Sequence, residues 1–208
     1  MITASEARLG RNMAILVVAT AILQLLIGFV LIGPDTEGYS NDWGLLNGAV
    51  TFANSFGQVA VLIFAMKLFD MDNNPLLRLL GTIAIVGTTI STIIAISPAA
   101  HAAGGFTGTS FTPTQILDMD GAITYGTWFV FPVWVLLVSL QERGGNVLPS
   151  WGSLAGIGAS ILILAVNLGF LFSLLPETII PFVWIVGGVI LYPTFVFGMS
   201  RAFASKIN

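Results

Sequence analysis

The sequence lacks cysteine entirely and contains a single histidine, His101. Without cysteine, the chain can form neither a disulfide nor a cysteine-ligated zinc or iron–sulfur site. One histidine cannot supply both axial ligands of a bis-histidine haem, and it disfavours a histidine-rich metal site for the same reason. We therefore predict no metal site, with a hard-cation site at the outer residues Asp118, Asp120 and Glu177 as the alternative, and the sequence leaves the identity of any cofactor unknown.

Charged residues are also scarce, at 8% of the 208 residues, whereas a soluble domain usually carries about 25%. Hydrophobic residues make up 56% of the chain. The net charge of -3 offers no basic surface for a phosphate backbone, which excludes nucleic acid as a partner. Water cannot solvate a chain this poor in charge, so we predict that its surroundings are a lipid bilayer.

Long apolar stretches recur along the chain. A bilayer core about 30 Å thick is crossed by roughly 20 apolar residues in a helix, and six stretches meet this requirement. We predict an all-α membrane protein, a six-transmembrane-helix bundle that forms a single domain over residues 1–208. The six spans lie at about 13–32, 44–68, 76–97, 121–140, 151–175 and 178–200.

The basic residues all fall on one side of the membrane if the N-terminus is inside. Lysine and arginine are retained on the cytoplasmic side, so this bias predicts cytoplasmic N- and C-termini (N-in/C-in) for a multi-pass protein of the plasma membrane. The predicted inner residues are Arg8, Arg11, Lys67, Arg78, Arg143, Arg201 and Lys206. The predicted outer loops carry Asp35, Glu37, Asp42, Asp118, Asp120 and Glu177 instead.

No catalytic motif is present. The chain contains neither the H-E-x-x-H pattern of zinc proteases nor the G-x-S-x-G turn of serine hydrolases. No ionisable residue lies in the middle of a predicted span, where proton and ion pathways usually keep one. We therefore predict no catalytic residues and no enzyme activity. An intramembrane enzyme would have only outer residues to use, namely His101, Asp118, Asp120 and Glu177.

An uncharged polar stripe runs along the second span. Its four residues are spaced by four, three and four positions, which places them within a sector of about 60° on one helix face. Their amide and hydroxyl groups need partners that hydrocarbon cannot provide. They either bond neighbouring helices together or line an outward-facing pocket. The candidate ligand-binding residues are this stripe and polar groups at similar depth: Asn47, Thr51, Asn54, Gln58, Gln24, Asn167 and Tyr125.

Two predicted spans open with the same pattern, W-G-x-L-x-G, at residues 43–48 and 151–156. These spans run in opposite directions, which is the relation that a 3+3 inverted repeat produces in transporters. A chance match over six positions is the alternative. The glycines of both segments are also spaced four apart, and small residues at this spacing let helices approach closely in lipid.

The last third of the chain resembles a known family. The residues that carry the resemblance are Val133–Leu137, Gln141–Gly145, Leu148–Trp151, Gly152–Gly156 and Pro181–Gly188. Over about residues 128–200, the chain is similar to small bacterial six-span membrane proteins known only as a domain of unknown function. The resemblance implies six spans in a bacterial inner membrane, and it implies no activity and no functional residues.

Three hypotheses of function follow. The first, which the sequence favours, is a non-enzymatic accessory or structural subunit that packs against a membrane-protein partner or against itself as a homo-oligomer. The alternative is a binding or transport protein for a small neutral or apolar molecule, held in an outward-facing polar pocket. The third is an intramembrane enzyme built on the outer ionisable residues.

Overall fold

The computed structural model describes residues 2–27, 42–94, 122–176 and 178–207. Within these ranges, five helices are long and apolar enough to cross a membrane, and a sixth apolar helix is shorter. The part of the chain that the structure describes is therefore all-helical, and the chain is a multi-pass membrane protein, which confirms the prediction at that level. The helices are α1 (Ala4–Leu26), α2 (Asp42–Leu68), α3 (Pro75–Ile94), α4 (Thr127–Gln141), α5 (Ser150–Leu171) and α6 (Ile180–Ala204).

Helix α4 is shorter than the span predicted at 121–140. Its 15 residues extend over about 22 Å at 1.5 Å per residue, less than the roughly 30 Å of a bilayer core. A turn at Tyr125 and Gly126 precedes the helix, and residue 121 lies outside the described ranges. Residues 122–124 are helical as well, and the low helix propensity of glycine is consistent with the interruption at Gly126 that makes α4 begin at Thr127.

Helix α1 begins well before the predicted span because its first turn is capped. The Thr3 hydroxyl accepts from the amide of Glu6 at 3.3 Å, and the Glu6 carboxylate accepts from the amide of Thr3 at 2.9 Å. This reciprocal arrangement satisfies two amides that a helix start leaves unpaired. The Glu6 carboxylate also pairs with Lys67 Nζ, which ties the start of α1 to the end of α2.

The described helices form a ring. Each packs on the next one in the chain, and the Tyr192–Ala204 part of α6 returns to α1, where Phe203 covers Gly10. Large buried side chains fill the end of the ring where α1 begins and α6 ends. This end also holds the basic residues of the described ranges, and its apolar core includes Leu68, Met71, Trp134, Leu148, Met199 and Phe203.

Helices α5 and α6 touch through glycine. A Cβ atom added at Gly198 would lie 3.0 Å from the Cα of Gly152, and Gly156 faces Ser139 and Phe195. Backbones approach this closely only where side chains are absent. The glycine spacing at 152–156 is therefore used for contacts within the chain.

Helix α6 is irregular in its first half. Its residues Ile180–Trp184 are α-helical, Ile185–Leu191 form a π-helix, and Tyr192–Ala204 are α-helical again. The amide of Tyr192 donates to the carbonyl of Gly187, five residues back. Pro193 has no amide hydrogen to make the next such bond, so the π-helix stops at Leu191.

Candidate ligand-binding site

A cavity of about 470 Å³ occupies the centre of the ring, in the half opposite the basic residues. All six helices contribute to its lining, and one side is polar while the other is aromatic. The polar side comes from the ends of α1 and α3 and from the first half of α2. The aromatic side is built by Trp128 and Phe131 of α4 and by Trp184 and Tyr192 of α6.

The polar side contains three residues of the predicted stripe, Thr51, Asn54 and Gln58. They lie on one face of α2, as their spacing predicts. Gln24 of α1 joins them, and its Nε2 donates to Thr51 Oγ1 at 2.7 Å. Four of the seven predicted ligand-binding residues therefore lie together around one cavity.

The side chain of Asn54 uses its hydrogen-bonding groups to join α2 to α1. Its Nδ2 donates to the carbonyl of Val17 at 2.9 Å and to the hydroxyl of Thr20 at 2.8 Å, both on α1. Its Oδ1 accepts from Gln58 Nε2. Both amide hydrogens of Asn54 are thus used, and the side chain is only 6% exposed. Asn54 fits the interpretation in which the stripe holds two helices together.

Gln58 retains free hydrogen-bonding capacity. Its Nε2 donates to Asn54, and its Oε1 accepts from the Tyr192 hydroxyl at a long 3.4 Å. The second hydrogen of this amide has no acceptor among the described residues, although an amide nitrogen carries two. Gln58 therefore offers a donor at the cavity wall, and its carbonyl is held only weakly.

The aromatic side is assembled from two pairs of rings in edge-to-face contact. Trp128 and Trp184 lie 6.4 Å apart between ring centroids, and Phe131 and Tyr192 lie 5.5 Å apart. Sequence analysis missed these residues as part of a site. The spacing of Trp184, Gly188 and Tyr192 could have revealed part of this side. These residues are four positions apart, so they lie along one face of a helix.

Three predicted site residues lie away from the cavity. Asn47 is half-buried one turn before Thr51 and does not line it. Tyr125 packs its ring edge-on against Phe129, and within the described residues its buried hydroxyl has no hydrogen-bond partner. Asn167 lies at a separate hollow of about 30 Å³.

Asn167 has a role in α4 that the sequence did not predict. Its Nδ2 donates to the main-chain carbonyl of Trp128 at 2.5 Å. In an α-helix that carbonyl would accept from the amide four residues later, but position 132 is a proline. Asn167 thus replaces the donor that Pro132 removes.

The chemistry of the cavity is neutral. No aspartate, glutamate, lysine, arginine or histidine is among its described lining residues. Nor does the described part of the chain hold a group of three metal-ligating side chains. The residues on which the enzyme hypothesis depends, His101, Asp118, Asp120 and Glu177, lie outside the described residues. The arrangement suits a molecule with an apolar body and a neutral polar end.

No protein-family model matches the chain, and neither a curated protein nor a solved structure matches it. The resemblance over residues 128–200 therefore stays a prediction.

Proposed function

We propose that the chain is a binding or transport protein for a small neutral molecule, which it holds in the central cavity. One observation carries this proposal: the α2 polar stripe and an aromatic wall line the same cavity, which has a volume of about 470 Å³. Sites for small molecules usually enclose roughly 300–1,000 Å³, with mostly apolar walls and a few polar groups that orient the ligand. The cavity has this size and this division of surfaces.

The ligand would lie with its apolar body between the indoles of Trp128 and Trp184 and the ring of Phe131. Its polar end would reach Gln58, which has an unused amide hydrogen. A charged ligand is disfavoured, because no opposite charge on the described lining compensates its desolvation.

The accessory-subunit hypothesis, which the sequence favoured, stays a prediction without an observation of its own. Such a subunit would be expected to pack on its partner through faces of small residues spaced four apart. In α5, Gly152 and Gly156 already pack on Gly198, Ser139 and Phe195 of the same chain. Because these glycines are already used within the chain, we favour the binding hypothesis over the accessory-subunit hypothesis.

We also propose that the chain crosses a bacterial plasma membrane six times, with both termini cytoplasmic and the cavity in the outer half. The short α4 would cross the membrane together with the residues that precede it, which brings the number of crossings from five to six. The 3+3 inverted repeat stays a prediction. Single-cysteine labelling tests the orientation cleanly, since the chain has no native cysteine. We expect a membrane-impermeant maleimide added to whole cells to label Ser173→Cys and not Lys206→Cys, and the opposite pattern would reverse the topology.

The proposed function is tested by native mass spectrometry after mild detergent extraction from the source membrane. We expect the chain to retain a small molecule. Gln58→Leu should lose it, because the variant removes the free donor at the cavity wall. The matched control is Gln141→Leu, since Gln141 is exposed at the end of α4. A chain that carries a stoichiometric protein partner and no small molecule would favour the accessory subunit instead.

A further inference from the structure

The π-helix of α6 places backbone at the cavity surface. Gly188 and Val189 lie within this segment, and both line the cavity. A glycine has no side chain, so Gly188 meets the cavity with its main-chain atoms. A Cβ atom at this position would overlap the ring of Trp184, which explains why the position requires glycine.

The carbonyl of Gly188 lacks a helical donor. A helical carbonyl accepts from the amide four residues later in an α-helix and five residues later in a π-helix. The amide four residues after Gly188 belongs to Tyr192, and it donates to Gly187 instead. The residue five positions later is Pro193, which has no amide hydrogen. No described side chain donates to this carbonyl either.

The chain contains a second proline-freed carbonyl that shows how such a group is normally satisfied. Pro132 removes the donor to Trp128, and Asn167 Nδ2 replaces it. A main-chain carbonyl without a partner is costly inside a membrane, where water is absent. Irregular backbone at membrane depth is tolerated where it lines a cavity, because the contents of the cavity complete its hydrogen bonds.

We propose that the Gly188 carbonyl is the acceptor for the ligand, and that the ligand is therefore a neutral molecule with a hydroxyl or N–H donor. This inference rests on the proposed function and narrows its ligand class. A donor group on the ligand would complete the hydrogen bonding of α6 at the point where Pro193 interrupts it. Molecules of equal size that carry only acceptors would leave the carbonyl unpaired and bind less tightly.

The test uses two photoactivatable probes on the full-length protein in nanodiscs. One is 1-octanol with a diazirine in its chain, and the other is its methyl ether, which has no donor. Labelled residues are located by peptide mass spectrometry over a concentration series. In the natural chain, we expect the alcohol to label the cavity residues Trp128 and Phe131 with an apparent affinity about 2- to 10-fold above that of the ether.

Pro193→Ala supplies the missing amide and should pair the Gly188 carbonyl within the helix. We expect this variant to bind the alcohol and the ether equally. Pro181→Ala is the matched control, since Pro181 lies at the first turn of α6, where no helical bond is lost. The ratio between the probes is compared within each variant, so a change in cavity shape alone does not reproduce the expected result.

The outcomes separate the two proposals. If neither probe labels a cavity residue in the natural chain, the proposed function fails. If both label the cavity equally in the natural chain, or if Pro193→Ala keeps the preference for the alcohol, only the role of the carbonyl is overturned. A freed carbonyl can also hold Na⁺. If sodium chloride stabilises the natural chain more than choline chloride does, and Pro193→Ala removes this difference, the ligand is a cation. That result would also overturn the inference.

Discussion

The hydroxyl of Tyr192 and the carbonyl oxygen of Gln58 lie 3.4 Å apart and join α6 to α2 across the cavity. This distance exceeds that of a normal hydrogen bond between a hydroxyl and an oxygen, which is about 2.7–2.8 Å. By contrast, Asn54 bonds α1 at 2.8 and 2.9 Å, one turn away on the same helix. The two polar residues of α2 therefore differ in hydrogen bonding, since Asn54 uses both amide hydrogens to bond α1 and Gln58 keeps one unused among the described residues.

The first prediction compares the stability of these two contacts. Asn54→Leu should lower the free energy of unfolding by about 1 kcal/mol, because interhelical hydrogen bonds in membranes contribute about 0.6 kcal/mol each on average. Tyr192→Phe should change it by less than about 0.5 kcal/mol, since it removes only the long bond. Reversible unfolding in mixed detergent micelles measures both values. An equal or larger loss for Tyr192→Phe would mean that the contact across the cavity is structural.

The second prediction concerns the carbonyl that Pro132 frees. Asn167→Leu should cost about 1 kcal/mol of stability, because it leaves the carbonyl of Trp128 without a donor. Pro132→Ala restores the amide that this carbonyl needs. In the Pro132→Ala background, Asn167→Leu should therefore cost little. The double-mutant cycle measures the difference, and additive effects of the two substitutions would show that Asn167 does not compensate for the proline.

Sequence pattern predicted the α2 part of the polar side because those residues lie on a single helix. The spacing of Thr51, Asn54 and Gln58 fixes their common face, whatever the neighbours of α2 are. The aromatic side combines residues far apart in the sequence, such as Trp128 and Trp184, which are 56 positions apart, and its existence depends on how α4 and α6 pack. Periodicity within one helix contains no information about that packing.

Asn167 and Gly188 show a second limit of sequence analysis. In both cases a proline removes an amide donor, and the sequence does show Pro132 and Pro193 inside apolar spans. The sequence does not show which group replaces each missing amide as the hydrogen-bond donor. For Pro132 it is a side chain on α5, and for Pro193 no described donor exists.

The third prediction tests the glycine contact between α5 and α6. Gly198→Ala places a methyl group 3.0 Å from the Cα of Gly152, so one backbone must shift. Overpacking of this kind typically costs about 1–3 kcal/mol. Gly144→Ala is the control, because no atom lies within 4 Å of a Cβ at that position. Thermal unfolding should separate the two variants, and equal melting temperatures would show that α5 and α6 can separate without loss.

The fourth prediction concerns the division between the central cavity and the hollow at Asn167. Trp128, Ile163 and Trp184 line both spaces and therefore form the wall between them. Of these residues, Trp184 lies on α6 just before the π-helix, and its indole contacts that of Trp128 on α4. We expect Trp184→Ala to join the two spaces and to admit longer ligands.

A diazirine-bearing 1-decanol measures this change. In the natural chain the probe should label residues of the central cavity only, since the indole of Trp184 blocks the path to the hollow. In Trp184→Ala, labelling should extend to Val166 and Asn167, which line the hollow but not the cavity. Trp151→Ala serves as the control, because Trp151 packs against Phe197 away from both spaces. Labelling of Val166 in the natural chain would mean that the two spaces are already connected, and labelling confined to the cavity in Trp184→Ala would mean that Ile163 and Trp128 suffice to separate them.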